Sequence, residues 1–240
     1  MKKHMKRTIS LFLALTLLFA AFPAVYTSAA TSYGKGGTKT EAKSKAKTDL
    51  SDARKGDIVL FGSYEQNDED DGTEPIKWKV IDRDGDQLLL FSVYTLDYQR
   101  YHCTQAGTTW ADSDIREWLN EDFFEDAFSE EEQEKIIPVT NSNEDDYKTG
   151  EDTDDLVFLL SVSEIKLTGS ARSMRAEPTA YAANKGAAHN REGYGWYWLR
   201  SIVTKTKAAY VPGVGGYEVE GYSITYGGGI RPAIWVDRSL

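Results

Sequence analysis

A strand that is apolar on both faces must be covered on both sides, and residues 196–201, WYWLRS, read as such a strand. Side chains alternate along a strand, so Trp196, Trp198 and Arg200 share one face, and Tyr197, Leu199 and Ser201 share the other. Arg200 then needs a carboxylate or several carbonyls as partners, with an indole available for stacking. Trp198 and Arg200 are therefore expected to be scaffold, while Trp196 and Tyr197, beside the flexing Gly195, are expected to reach a ligand.

The chain has one cysteine, Cys103, so no intramolecular disulfide supports this core. Packing has to do it, and an aromatic content of 12% supplies the surface. Residues 1–30 read as an export signal: Lys2, Lys3, Lys6 and Arg7 precede an apolar run over 9–22, and Ser28-Ala29-Ala30 offers a cleavage site. The run is shorter than the ~20 residues a spanning helix needs, so no membrane span is expected after cleavage. The implied location is extracellular or at the cell wall. Without residues 1–30 the charge is −14, from 24 Lys and Arg against 38 Asp and Glu, which disfavours nucleic acid as a partner.

Residues 31–55 are rich in Gly, Lys, Thr and Ala and read as a flexible basic linker, leaving 56–240 as a single globular domain. Strands are expected over 57–62, over 77–82 with Trp78 turned inward, and over 87–94 after an Asp84-Gly85 hairpin turn. Helical signals follow. Ser113 caps a segment with Ile115, Trp118 and Leu119 on one face, Ser129 and Glu132 form a capping box, and Ser161 and Glu164 repeat it. A further helix over 179–185 follows Pro178 and stops at Gly186. Residue 156 to 160 reads as a buried strand, and the last fifty residues as several short strands over 195–201, 208–211, 217–226 and 230–236, with the glycines at 227–229 forming a turn. Strands first, helices in the middle and strands last imply an α+β fold, mostly antiparallel, with short helices packed alongside.

Signatures of chemistry are few. The sequence contains no Gly-x-Ser-x-Gly elbow, phosphate-binding loop, dinucleotide fingerprint or His-Glu-x-x-His, so neither a catalytic residue nor a cofactor is expected. His102 and Cys103 are neighbours, and neighbours in a strand point to opposite faces; a metal site is not expected there, and Cys103 is expected to be buried or half-buried. The acidic segment 143–155 reads as a long loop, with weak calcium binding as its functional alternative.

The motifs Phe61-Gly-Ser-Tyr64, Glu74-Pro-Ile-Lys-Trp-Lys-Val80, Ser113-Asp-Ile-Arg-Glu-Trp-Leu-Asn120, Trp198-Leu-Arg-Ser201 and Gly229-Ile-Arg-Pro-Ala-Ile-Trp235 occur in that order. Together they resemble an uncharacterised bacterial domain family of secreted and surface proteins, which has no assigned activity. The chain's ending is in turn similar to C-type-lectin-like and formylglycine-generating-enzyme-like domains. That resemblance implies a C-type-lectin-like α+β fold in which the closing strand, with Arg231 and Trp235, is scaffold like Trp78, Trp118, Trp198 and Arg200. It also implies that the segment between Ser201 and Gly228 carries ligand-facing loops. The chain lacks the second reactive cysteine of the formylglycine enzymes and the calcium motifs of animal sugar-binding lectins, so neither property carries over.

The function expected on these grounds is a secreted, non-catalytic binding module for a carbohydrate or a surface protein, touching its ligand through Trp196, Tyr197, Tyr210, Tyr217, Tyr222 and Tyr226. Tyrosine suits that role because it gives a large contact area with few rotors. An extracellular polysaccharide-active enzyme with a carboxylate pair, and a structural unit of a surface assembly, are the alternatives.

Overall fold

Local signals at the start of the domain build a three-stranded meander. The alternating segment at Trp78 and the Asp84-Gly85 turn give β1 (Ile58–Tyr64), β2 (Glu74–Asp84) and β3 (Gln87–Ser92), with Asp84 paired to Gln87 across a two-residue loop and Gly85 at φ 57°. The computed structural model describes residues 46–69, 71–144 and 150–240. The expected export signal and residues 31–45 of the expected linker lie outside the described residues.

After β4 (Asp97–Arg100) come three short helices, α1 (Asp114–Asn120), α2 (Asp122–Ala127) and α3 (Glu130–Gln133). Ser113 caps α1 by accepting from the Arg116 N–H, and Ser129 and Glu132 exchange both bonds of a capping box at α3. Strands β5 (Val139–Asn141), β6 (Thr153–Asp155) and β7 (Val157–Phe158) follow, then a 3-10 turn over Glu164–Thr168 and helices α4 (Ala171–Met174) and α5 (Ala180–Lys185). Thr179 caps α5, and Gly186 ends it at φ 125°, where a side chain would be strained. The chain closes with β8 (Tyr197–Thr204), β9 (Lys207–Val211), β10 (Glu218–Ser223), β11 (Gly227–Ile230) and β12 (Ala233–Asp237).

These strands make two five-stranded sheets, ordered β1-β2-β3-β12-β7 and β10-β9-β8-β11-β4, and a small β5-β6 pair. Among the strand pairs of the described residues, β8–β11 alone is parallel. The fold class is α+β, mostly antiparallel, as the order of sequence signals implies. No helix among the described residues is long and apolar enough to cross a membrane.

One buried cluster draws from both sheets, and Phe91 on β3 meets Tyr197 on β8 at 6.3 Å between ring centroids. The chain passes from one sheet to the other at Arg231-Pro232, between β11 and β12. Arg231 is buried there with no carboxylate partner among the described residues. It donates to the carbonyls of Ser92 (2.8 Å) and Met174 (2.9 Å) and to the Tyr197 hydroxyl (3.0 Å), and lies 3.9 Å from the Phe91 ring centroid. Carbonyl dipoles and ring faces compensate the burial that pulls its pKa down.

Residues 46–55 correct the linker expectation. The Lys47 N–H donates to the Ile58 carbonyl at 3.0 Å, the Lys47 carbonyl accepts from Leu60 N–H at 2.8 Å, and Leu50 and Ala53 are buried. Main-chain pairing does not depend on side-chain composition, so a Lys- and Ala-rich stretch joins the sheet edge here.

A buried carboxylate ties β4 to β1 and α5. Asp97 accepts from the Tyr64 hydroxyl at 2.6 Å and pairs with Lys185 Nζ at 2.7 Å. Burial, then the charge and hydrogen bond of Asp97, push the Tyr64 phenol well above its usual range; burial alone raises Tyr197. Burial pulls Lys185 down, but Asp97 and Tyr181 outweigh it and leave it raised. In all three the folded chain holds its proton to higher pH than the unfolded chain. Stability is therefore whole below the ordinary tyrosine value of 10.0 and falls as pH rises beyond it. For Tyr64 the slope is about 1.4 kcal/mol per pH unit. Urea unfolding between pH 9 and pH 11 is expected to show this fall, shallower in Tyr64→Phe; equal slopes in the two proteins would contradict it.

Candidate functional site

Strand β8 divides the aromatic residues of the WYWLRS stretch between two environments. Tyr197 is fully buried, with its hydroxyl donating to the Met174 carbonyl, so the expectation that it meets a ligand is corrected. Trp198 is buried as expected, and its indole donates to the Gln99 carbonyl at 3.2 Å. Arg200 is buried and saturated. It donates to Asn143 Oδ1 (3.1 Å), Leu159 O (3.1 Å) and Ser142 O (2.9 Å) and pairs with Glu164, which meets the demand for a carboxylate and carbonyls. Its ring neighbour is Phe158, at 5.9 Å, and not an indole.

Trp196 continues outward. Its ring lies 4.9 Å from Trp198, 5.6 Å from Tyr210 and 5.4 Å from Tyr222, and Tyr222 lies 5.2 Å from Tyr226. Inward, Trp198 meets Tyr101 at 5.7 Å. The result is an aromatic row that runs from the core to solvent, with Trp196 and Tyr210 half-buried, Tyr222 43% exposed and Tyr226 58% exposed. Four of the six expected ligand residues thus come together. Tyr217 stands apart from the row, half-buried under Lys166 Nζ at 5.7 Å.

The glycines at 227–229 are strand β11 and not a turn. A Cβ on Gly228 would lie 2.5 Å from Trp198 Nε1 and 2.6 Å from the Trp196 ring, and one on Gly227 would lie 2.4 Å from the Tyr98 ring. Large rings press against this strand, and only glycine leaves room for them. The row is therefore set by a strand without side chains as much as by the aromatic residues themselves.

Of the remaining scaffold residues, Trp78 is buried and donates to the Phe61 carbonyl at 2.7 Å, and Trp235 is half-buried against the core. Trp118 is half-buried against Phe123 at 5.5 Å between centroids, and it also walls a cleft.

That cleft, about 650 Å³, adjoins the aromatic row at Tyr226 and is walled by Tyr98, Arg100, Cys103, Asp114 and Trp118. Sequence reasoning missed its wall, because these residues come from β4, the bend after it, and α1, with no local motif. His102 and Cys103 also correct an expectation. They follow β4 in a bend, where side chains do not alternate as in a strand, and both approach Asp114. Cys103 is exposed and not buried. The hydrogen bond from its thiol to Asp114, with a small burial contribution and the Asp114 charge, raises its pKa. Burial pushes Asp114 up, but the bonds from Cys103 and the proximity of His102 outweigh it and hold the carboxyl below its ordinary value. A thiol held protonated by a carboxylate is not an activated nucleophile.

In the acidic 143–155 segment the carboxylates of Glu144, Asp152, Asp154 and Asp155 are engaged by protein donors. Asp155 is buried and accepts from Trp110 Nε1 (2.9 Å), Asn141 Nδ2 (2.8 Å), Thr153 Oγ1 (2.8 Å) and Arg116 Nε (2.5 Å), and Asp154 accepts from Thr140 at 2.6 Å. Residues 145–149 of that loop lie outside the described residues.

No curated protein and no solved structure matches the chain. The family model described as Domain of unknown function (DUF6273) matches residues 85–238, from the β2–β3 turn through β12 and well over half the chain, and the chain belongs to that family.

Proposed function

We propose that this domain is a secreted, non-catalytic binding module that recognises a carbohydrate at the cell surface through the row Trp196, Tyr210, Tyr222 and Tyr226. The observation that carries the reading is the solvent-facing end of that row: exposed Tyr222 packed against half-buried Trp196 and Tyr210, and exposed Tyr226 packed against Tyr222. A pyranose ring has one face of C–H groups, which packs on an aromatic face, while its hydroxyls need acceptors. Glu218 stands opposite Tyr210 in the β10–β9 pairing, which puts a carboxylate acceptor beside the row. Rigid rings also lose little entropy on binding.

A C-type-lectin-like architecture belongs to the same proposal. Its support is the order of the closing elements: β8 with Trp-Leu-Arg-Ser, a long excursion through β9 and β10, and the Gly-Ile-Arg-Pro-Ala crossover at Arg231. The carboxylate-pair enzyme draws no support from the cleft beside the row, which has one carboxylate on its wall, Asp114, already engaged by Cys103 and His102. A protein ligand is the second class of partner, because exposed Val219 on the same strand as exposed Tyr222 also suits a protein contact.

The test is binding of the purified chain to a glycan array and to insoluble cell-wall polysaccharide, compared with Tyr222→Ala/Tyr226→Ala. Binding that weakens by at least about tenfold in the double variant supports the reading, since exposed aromatic anchors contribute on the order of 1–2 kcal/mol each. Binding that is equal in both proteins, or absent from every glycan and wall fraction, contradicts it.

A further inference from the structure

Among the described residues one group of metal-ligating side chains converges: the ligand atoms of His102, Cys103 and Asp114 all lie within 4.8 Å of one another. Both chain segments that carry them are pinned. The His102 N–H donates to the Ile224 carbonyl at 2.9 Å, Ile115 N–H donates to the Tyr101 carbonyl at 3.3 Å, and Cys103 N–H donates to Asp114 Oδ2 at 2.8 Å. The last bond occupies Oδ2 and leaves Oδ1 facing His102. His102 Nδ1 sits 2.8 Å from that oxygen, yet it is buried and makes no aligned hydrogen bond. A buried imidazole nitrogen without an aligned partner, beside a carboxylate and a thiol, is the geometry of a ligand set with its centre missing.

We propose that His102, Cys103 and Asp114 bind a divalent transition-metal ion of the zinc class, through one nitrogen, one sulfur and one oxygen, at the wall of the cleft. A mixed N, S and O set suits zinc and disfavours calcium and magnesium, which take oxygen ligands. Neutral imidazole, thiolate and carboxylate together offset the two positive charges. On binding, the S–H bond of Cys103 breaks, its proton goes to solvent, and the metal–sulfur bond forms. Ligand atoms around tetrahedral zinc lie about 3.2–3.8 Å apart, so the His102–Asp114 pair, now 2.8 Å apart, opens by about 0.4 Å to admit the ion, and the widest pair, within 4.8 Å, closes by up to about 1 Å, which rotation of the exposed Cys103 side chain supplies. Three protein ligands leave a fourth position, and Cys103 and Asp114 both line the cleft, so that position faces it. The site stands on this geometry and not on the carbohydrate reading.

Cobalt(II) is the probe, because Cys103 is the only cysteine and a sulfur-to-cobalt charge-transfer band therefore reports this position alone. Titration of the purified chain is expected to give that band with one equivalent of cobalt, to be reversed by zinc, and to be untouched by excess calcium. His102→Asn and Asp114→Asn are each expected to weaken binding at least about tenfold, and Cys103→Ser to abolish the band. Far-UV circular dichroism verifies folding, and Cys103→Ser, at an exposed position, measured by zinc stoichiometry, keeps the test decisive if Asp114→Asn does not fold. No band in the unaltered chain overturns the proposal. So does a band equally strong in folded His102→Asn, or zinc stoichiometry unchanged in Cys103→Ser.

Discussion

Arg200→Ala is expected to lower the free energy of unfolding by about 3–5 kcal/mol, because it strands buried partners as well as losing their attraction. The Arg200 side chain is 2% exposed, and its guanidinium serves Glu164, Asn143 Oδ1 and the carbonyls of Leu159 and Ser142. Without it, Asn143 Oδ1 and the Leu159 carbonyl face a hole in the core, and the half-buried Glu164 carboxylate loses its counter-ion. A domain has about 5–15 kcal/mol of stability in all, so most of the reserve is at stake. Arg200→Lys keeps the charge but not the planar fork, and is expected to recover only part of the loss. Urea unfolding measures both, and a loss below about 1 kcal/mol in Arg200→Ala would contradict the account.

Asp155→Ala is expected to cost about the same, about 3–5 kcal/mol, and not independently. Asp155 accepts from Trp110, Arg116, Asn141 and Thr153. Thr153 in turn accepts from Asn143 Nδ2 at 3.4 Å, and Asn143 accepts from Arg200. One continuous polar chain thus runs from α1 through the β5–β6 pair to β8. Members of one network do not add, so the double variant Arg200→Ala/Asp155→Ala is expected to differ from the sum of the single losses by about 0.5–3 kcal/mol. Strict additivity would show that the two ends are separate.

The sequence is readable where a bond closes within a few residues. The capping box at Ser129, the α5 boundaries at Thr179 and Gly186, and the Asp84-Gly85 hairpin all depend on neighbours in the chain. The two-faced apolar stretch at 196–201 likewise implies a buried strand with a paired arginine, and Arg200 meets that demand. What could not be read depends on distant partners. Ser161 and Glu164 do form the reciprocal bonds of a capping box, yet Glu164 is also the counter-ion of Arg200, thirty-six residues on.

The three glycines of β11 look like a turn until the rings of Tyr98, Trp196 and Trp198 are placed across them. Tyr222 and Tyr226 carry no mark that separates them from strand tyrosines such as Tyr197; only the position of β10 at a sheet edge exposes Tyr222. The cleft wall is harder still, because β4 is four residues long and His102, Cys103 and Asp114 meet only after the bend folds onto α1.

The central claim is that the row from Trp196 to Tyr226 is the ligand surface. Its most direct test is a proton–nitrogen correlation NMR titration of the chain with the glycan that binds best on the array. The account predicts that the Trp196 indole N–H and the amides of Tyr210, Tyr222 and Tyr226 shift together, with saturation at one concentration, while the Trp78 indole N–H on the other sheet stays still. Shifts that leave Trp196, Tyr222 and Tyr226 unmoved while the glycan binds would contradict it.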